Sequence, residues 1–341
     1  MFAQKTRIPH TKNMNPVTSA EVSGKNVIVR ADLDLAERNG QLETFRLDRL
    51  IPTLRDLLSR GASVRIIAHR GRPNGVPNPS LSTAPFAPLL SERLGEEVRF
   101  AGEITSSPSG KISLFENLRF SPGEENNSQD FVEALLGLGE IYVNESFASA
   151  HRSHASVTSL PKYLPHFAGL NLMAEVENLT KILERPERPL VVIIGGSKVE
   201  TKRPLIERMQ TLADAVLIGG SLVNEGLQPM EKVILPLDNI SGKDIGTQTQ
   251  ELFKKWINSA KTIVWNGPMG IYEDPAFAAG SVAVARAVSA SPAFTVVGGG
   301  ETIACLNELG LLPQIKFVST GGGAMLEFLS GKPLPGLEAL G

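Results

Sequence analysis

Short, continuous apolar runs alternate with longer helical patterns along this chain. Runs such as NVIVRADL (26–33) and LVVIIGG (190–196) do not alternate in polarity from residue to residue. Strands buried on both faces of a parallel sheet have this pattern. Helical segments between the runs, such as 44–60, predict right-handed parallel crossovers. The predicted strands are 26–33, 63–70, 97–102, 111–117 and 140–145, then 190–196, 215–220, 232–236, 262–267, 294–300 and 316–322.

The chain has 341 residues, which is long for a single hydrophobic core. Two sets of strands and helices predict an α/β fold with two doubly wound, parallel-sheet (Rossmann-like) domains. The predicted domains are residues 1–171 and 190–326. Residues 172–189 predict a hinge helix between them, because an amphipathic pattern is followed by Pro186 and Pro189.

Composition excludes several classes of protein. The formal net charge of -2 gives no general attraction to nucleic acid, so no nucleic-acid partner is expected. The only cysteine, Cys305, rules out a disulfide framework, and its apolar helical surroundings predict a buried structural residue. No apolar run is long enough for a membrane span, and the first residues lack the apolar core of a signal peptide. We therefore expect a cytoplasmic protein without a membrane partner.

The residues that follow the predicted strands differ between the two halves. Ligands of open parallel sheets bind beyond the carboxyl ends of the strands. In the first half, polar and basic residues stand there or shortly beyond, namely Arg30, Asp32, Asp34, His69, Arg70, Arg72, Arg119, His151 and Arg152. In the second half, glycines stand there, namely 195–196, 219–220, 267, 298–300 and 321–323.

These two sets of residues suit different ligands. Arginines bind small anions through a fixed fork of donors, whereas glycines let backbone N–H groups approach a polyphosphate. Two anionic ligands on two domains suggest phosphoryl transfer, although the chain has neither a GxxxxGK[ST] loop nor a GxGxxG motif. The residues alone therefore indicate a two-domain, nucleotide-dependent transferase.

Several segments are similar to one known family. In chain order they are VRADLDL, HRGRP, ENLRFSPGEE, YVNESFASAHRSHAS, PERPLVVIIGGSKVETK, TIVWNGPMGIYE, GGGETIA and STGGGAMLEFLSGK. This order resembles that of the phosphoglycerate kinases. The resemblance implies reversible phosphoryl transfer in glycolysis, between 1,3-bisphosphoglycerate with ADP and 3-phosphoglycerate with ATP. It also implies Mg²⁺ as cofactor, a monomer, closure about a hinge, and a segment 327–341 that returns to the first domain.

The resemblance also implies site residues. Those for phosphoglycerate are Asp32, Asp34, Arg46, His69, Arg72, Arg119 and Arg152. Arg46, Lys198 and Lys202 are implied to be catalytic. Those for the nucleotide are Gly196, Lys198, Lys202, Gly220, Asn266, Pro268, Glu273, Gly298, Gly299, Gly300, Glu301, Thr302, Gly321 and Gly322, and Glu301 is also implied to hold the metal.

Some positions depart from the family pattern. Asp34 stands where the family has Asn, Glu301 stands where it has Asp, and Arg70 adds a positive charge after His69. The stretch that follows Leu222 is also shorter than in the family. These departures leave two hypotheses open, an active kinase or a non-catalytic paralogue that binds phosphoglycerate or a protein partner. The retained Arg46, Arg152 and lysines favour the active kinase.

Overall fold

A computed structural model describes residues 14–38, 40–106, 108, 110–197, 199–227 and 230–341. The chain divides into two compact units. Unit 1 extends to Glu177 and also contains Pro333–Gly341, and unit 2 is Asn178–Lys332. Of the predicted returning segment 327–341, residues 333–341 thus fall in unit 1 and residues 327–332 in unit 2.

Unit 1 is built on a six-stranded parallel sheet in the order β5-β6-β4-β1-β7-β8. Its strands are β1 (Asn26–Arg30), β2 (Glu37–Arg38), β3 (Gln41–Leu42), β4 (Ser63–Ile67), β5 (Val98–Gly102), β6 (Ile112–Phe115), β7 (Ile141–Asn144) and β8 (His166–Ala168), where β2 and β3 form a separate hairpin. Its helices are α1 (Phe45–Ser59), α2 (Phe86–Leu94), α3 (Pro122–Glu125) and α4 (Gln129–Leu136). In the register of the sheet, Arg30 lies beside Ile67 and Asn144.

Unit 2 is built on a second six-stranded parallel sheet, in the order β11-β10-β9-β14-β15-β16. Its strands are β9 (Leu190–Ile194), β10 (Ala215–Ile218), β11 (Val233–Ile234), β12 (Asn239–Ile240), β13 (Asp244–Ile245), β14 (Thr262–Asn266), β15 (Phe294–Gly298) and β16 (Phe317–Val318), where β12 and β13 form a hairpin. Its helices are α6 (Val199–Leu212), α7 (Thr247–Ser259), α8 (Ala279–Ala290), α9 (Gly300–Glu308) and α10 (Gly322–Leu329). The strand order reverses between β9 and β14, and such switch points bind ligands in doubly wound folds.

Helix α5 (Leu170–Glu184) contains the division between the two units, after Glu177. It coincides with most of the predicted hinge helix, and Leu172, Val176 and Leu179 on its apolar stripe are buried. A short helix α11 (Pro335–Glu338) lies in the part of unit 1 that follows residue 332. No helix among the described residues is both long enough and apolar enough to span a bilayer.

The fold class predicted from the sequence is confirmed. Each predicted strand segment contains a strand, because continuous apolar runs are what a buried parallel strand requires. The central strands β6, β7, β9, β10 and β14 are buried along their whole length. Most strands end before the predicted segment does, because the polar and glycine residues at the end of each segment form the loop.

Candidate functional site

The carboxyl end of the sheet in unit 1 carries a group of basic side chains around Arg30. Arg30 is fully buried, and its Nε donates to Ser156 Oγ at 2.8 Å. Its Nη2 lies 2.9 Å from His69 Nδ1. A guanidinium can only donate, so Nδ1 must accept and a neutral His69 ring must carry its proton on Nε2. Burial and then the charge of Arg30 hold the pKa of His69 well below its usual value. His69 is therefore a neutral hydrogen-bond donor at physiological pH.

Asp32, Asp34 and Arg46 form the next part of this site. Arg46 Nη1 lies 3.3 Å from Asp32 Oδ1 and donates to the backbone oxygen of Asp34 at 3.0 Å. Asp32 is buried, and that burial raises the pKa of its carboxyl group although Arg46 opposes the shift. Asp34 Oδ1 accepts the Gly71 N–H at 2.8 Å, and Asp34 Oδ2 lies 3.8 Å from His69 Nε2. The loop after β1 is thus attached to the loop after β4.

Arg119 and Arg152 add two further positive charges to this group of side chains in unit 1. Arg119 Nη1 donates to the Gly71 carbonyl at 2.7 Å, and its Nε lies 3.2 Å from Glu125 Oε1. Arg152 is half-buried. Burial, and then Arg119, Arg30 and Arg152, lower the pKa of His154 to about 4. We call Arg30, Arg46, His69, Arg119, Arg152 and His154 the basic cluster. It concentrates cationic guanidinium groups around two neutral histidines.

Two arginines of the HRGRP segment lie differently. Arg70 Nη1 donates to the Ser82 carbonyl at 3.3 Å, and its guanidinium carbon lies 5.1 Å from the centroid of the Phe86 ring. Arg70 therefore does not pair with Asp34. Arg72 is exposed, and no hydrogen bond or ion pair joins it to another described residue. Among the predicted phosphoglycerate residues, Arg72 thus differs in that no hydrogen bond or ion pair with a described residue fixes its side chain, although the preceding Gly71 is hydrogen-bonded to Asp34 and Arg119.

The switch point of unit 2 is built from closely packed glycine turns. A Cβ atom at Gly195 would lie 2.1 Å from the Pro268 carbonyl oxygen. A Cβ atom at Gly267 would lie 2.2 Å from the Gly195 oxygen, and Gly267 has a φ of +93°. Residues with side chains could not adopt this arrangement without displacing the backbone. The glycines predicted from the sequence therefore allow the loops after β9 and β14 to touch.

Lys202 lies beside these turns, one turn into α6. It is buried, and its Nζ donates to Asn266 Oδ1. The Asn266 amide donates in turn to the Gly298 carbonyl at 2.9 Å, which links α6, β14 and β15. Burial lowers the pKa of Lys202 to about 8, although Glu301 opposes that shift. Lys202 is thus a preorganised cation at the switch point, and Lys198 lies outside the described residues.

The glycine loops after β15 and β16 lie next to each other. Gly299 has a φ of +98°, and a Cβ atom at Gly322 would lie 3.1 Å from Gly299 Cα. These loops lead into α9 and α10, whose first N–H groups have no partner within the helix and favour anions. Thr302 Oγ1 accepts the Gly267 N–H at 2.8 Å and fixes α9 to the switch point.

The other predicted nucleotide residues surround this region. Gly196 and Gly220 are in contact, since the Gly220 Cβ position lies 2.4 Å from the Gly196 oxygen. Pro268 is buried in the turn after β14, and Gly321 precedes α10. Glu273 is exposed, and its charge contributes to the raised pKa of Cys305. The buried Cys305 thiol, with its pKa raised to about 11 mainly by burial, is consistent with a structural residue.

The residues of unit 2 fit a magnesium ion that arrives with phosphates. Among the described residues, no group of three or more histidine, cysteine or acidic side chains could hold a metal by itself. Glu301 is exposed in the first turn of α9. Its charge is near enough to Lys202 to oppose the lowering of the lysine's pKa by burial. Mg²⁺ is commonly held by one or two carboxylates together with substrate phosphates and water. A single carboxylate at this position suits that mode of binding.

The site residues implied by the resemblance include neither Arg30 nor His154, although Arg30 was among the basic residues expected at the strand ends. Arg30 stands in the predicted strand 26–33, and His154 stands in SAHRSH, within a segment that is similar to the family. Whether these two residues belong to the site is decided by the direction of their side chains. Contacts such as the hydrogen bond from Arg30 to Ser156 set that direction. Glu124, fully buried, was also missed, and it accepts from Ser156 N at 3.0 Å and Ser156 Oγ at 2.6 Å.

Comparisons with known proteins agree with this geometry. A sequence model of the family described as phosphoglycerate kinase matches residues 17–234 and 224–332. A phosphoglycerate kinase of Rubrobacter xylanophilus is 38% identical over 381 aligned positions, which cover 95% of this chain and 97% of the relative. One of Xanthobacter flavus is 36% identical over 387 positions, covering 94% of this chain and 97% of the relative.

Solved structures give the same result. The phosphoglycerate kinase from Coxiella burnetii matches with a TM-score of 0.81 and 32% identity, covering 96% of this chain and 98% of that one. The enzyme from Pyrococcus horikoshii matches with a TM-score of 0.85 and 29% identity at the same coverage. Sequence and structure lead to one conclusion: this chain belongs to the phosphoglycerate kinase family.

Proposed function

We propose that this chain catalyses reversible phosphoryl transfer between 1,3-bisphosphoglycerate with ADP and 3-phosphoglycerate with ATP. One observation supports this most strongly. This chain, a member of the family, has two groups of residues that suit anions and are built differently, the basic cluster in unit 1 and the glycine turns with Lys202 in unit 2. No observation on the described residues favours the non-catalytic alternative.

The basic cluster is suited to a small molecule with a carboxylate and a phosphate. Arginine guanidinium groups bind both anions through paired donors. His69 is neutral and protonated on Nε2, so it can donate a hydrogen bond to the ligand. Because the ring carries no charge, its burial does not require a charge to be desolvated. Arg46 lies at the edge of the cluster, with 26% of its side chain exposed, and can therefore reach a ligand while it remains near Asp32.

The nucleotide is assigned to unit 2. The glycine turns would bring backbone N–H groups to the phosphates, and Lys202 would add a positive charge there. We assign Lys198 the same task on the basis of its motif. Glu301 would hold Mg²⁺, which supplies charge neutralisation of the phosphates when bound.

Phosphoryl transfer depends on positioning and on compensation of charge more than on covalent help from the protein. The transferring group carries negative charge on its oxygens, and cations from both units would stabilise it. Since transfer requires the two substrates to meet, we propose that the segment 172–189, with α5, serves as a hinge.

A coupled assay tests the proposal. We expect ADP to form from ATP only when 3-phosphoglycerate and Mg²⁺ are both present. Arg46→Ala should lower kcat about 100-fold or more, as removal of one donor to a transition state does in other enzymes. Arg99→Ala is the matched control, because Arg99 is exposed and pairs with Glu97. Absence of 3-phosphoglycerate-dependent turnover in the wild-type protein would contradict the proposal.

A further inference from the structure

A cavity of about 1020 Å³ opens in unit 1 beside the connection from β5 to β6. These two strands are parallel neighbours. Parallel neighbours are normally joined by a crossover of a dozen or more residues that contains a helix. Here the connection is residues 103–111, and its described part contains no helix. Gly102, Glu103, Ile104 and Thr105, at the start of this short connection, line the cavity.

The cavity has the size and lining of a site for a small molecule. Such sites typically enclose about 300–1,000 Å³ and combine apolar walls with a few polar groups. The apolar wall includes Phe100 and Ile104, with Phe120 beyond β6 and Phe131 and Ala134 from α4. Phe100 lies on the edge strand β5, and 39% of it is exposed. A ligand here would cover apolar surface that now contacts water.

One wall of the cavity is fixed by hydrogen bonds. Glu116 Oε1 accepts the N–H groups of Thr83 at 2.9 Å and Asn117 at 2.7 Å, and Glu116 Oε2 accepts from Ser82 Oγ at 2.7 Å. The Asn117 amide donates to the Leu81 carbonyl at 2.9 Å. A wall held in this way does not need to be ordered by the ligand, so binding costs less conformational entropy.

The charge of the lining has one sign. Three carboxylates, Glu103, Glu116 and Asp130, line the cavity, and no lysine, arginine or histidine does so. None of these three carboxylates takes part in an ion pair with a described basic residue. Glu103 and Asp130 are exposed at the rim. A cation near that rim would gain attraction from all three groups.

We propose that this cavity is a second ligand site, which binds a small apolar molecule carrying a primary ammonium or amidinium group. It differs in chemistry from the basic cluster, since its carboxylates repel anions whereas the cluster attracts them. The site does not depend on the proposed kinase activity, and its test requires no turnover.

Three probes of matched shape test the inference, namely 4-phenylbutylamine, 4-phenyl-1-butanol and 4-phenylbutyrate. Each is titrated into the full chain while the backbone amide resonances are followed by NMR. We expect the amine to bind most tightly and the carboxylate most weakly, with the shifts centred on residues 102–105 and 130–134. Equal affinities for the three probes, or shifts centred elsewhere, would overturn the proposal.

Substitutions separate charge from shape. The double variant Glu103→Gln/Asp130→Asn should weaken binding of the amine about ten-fold, as two screened charge contacts predict, and leave that of the alcohol within about two-fold. The double variant Glu92→Gln/Glu97→Gln is the control, since both residues are exposed and lie outside the lining. Ala134→Trp should fill the cavity and abolish binding of both the amine and the alcohol, with an unchanged Tm as evidence of folding. Unchanged amine affinity in the first variant would contradict the assignment of charge.

Discussion

The family resemblance implies asparagine where this chain has Asp34, and Asp34→Asn tests what the carboxylate does. Its Oδ1 accepts the Gly71 N–H at 2.8 Å, and 40% of its side chain is exposed. Asparagine can keep that hydrogen bond through its amide oxygen, so the substitution removes charge while the loop stays attached. We therefore expect the variant to fold normally and to bind 3-phosphoglycerate more tightly.

The magnitude follows from the exposure of Asp34. Like charges about 4 Å apart repel by about 1 kcal/mol at the dielectric constant of bulk water, about 80, and this repulsion is the lower limit for a group that is only partly exposed. That energy corresponds to an increase in affinity of about five-fold. Asp48→Asn is the matched control, because Asp48 is a carboxylate on α1 that pairs with Arg93 at 3.0 Å.

Titration calorimetry with 3-phosphoglycerate measures the effect. Since Arg70 contacts Ser82 and Phe86, the double variant Asp34→Asn/Arg70→Leu should show almost no coupling between its two substitutions. A strong coupling would mean that Arg70 neutralises Asp34 after all. Unchanged affinity in Asp34→Asn itself would show that this carboxylate does not face the ligand, and would refute the reasoning.

Further predictions concern the nucleotide side and the hinge. Lys198→Ala should lower kcat by orders of magnitude while 3-phosphoglycerate binding persists in calorimetry, and a normal kcat would remove Lys198 from the mechanism. Because bound phosphates favour the charged ammonium of Lys202, ADP affinity should fall as the pH rises through about 8. That fall should be absent in Lys202→Met, and the same pH profile in both proteins would contradict the assignment. Glu301→Asp should change the dependence of rate on Mg²⁺ concentration more than the KM for 3-phosphoglycerate, and the reverse result would remove Glu301 from the metal. If the segment 172–189 is a hinge, small-angle scattering with both substrates should show a more compact particle than with either one, and identical profiles would count against closure.

The fold was predictable because a parallel strand that is buried on both faces requires a continuous run of apolar residues. Strands at the edges of the sheets and in short hairpins have shorter or less apolar runs. β8 (His166–Ala168) has three residues, two of them only half-buried, and was not predicted. The two-residue strands of the hairpins β2–β3 and β12–β13 are too short to form an apolar run. Most strand ends were placed too late, since the predicted segments included the polar and glycine residues that form the loops after the strands.

The sequence predicts which residue types stand at the candidate site, but it does not predict the directions of their side chains. Motifs gave the residue types, and the strand order placed them at the carboxyl ends of the two sheets. Which way a side chain turns depends on contacts between residues far apart in sequence. The Arg30–His69 hydrogen bond and the Lys202–Asn266 hydrogen bond are examples. Arg70 is an example of a direction that the sequence did not predict. It follows His69 in the chain, but its guanidinium group packs on the ring of Phe86.

The most direct test of the central claim is detection of the product itself. The protein is incubated with ATP, 3-phosphoglycerate and Mg²⁺, and the mixture is followed by ³¹P NMR with hydroxylamine present to trap acyl phosphate. We expect ADP and the hydroxamate of 3-phosphoglycerate to accumulate together, and Lys202→Met to slow both about 100-fold or more. ADP that accumulates with inorganic phosphate but without the hydroxamate, or no reaction at all, would contradict phosphoryl transfer to a carboxylate.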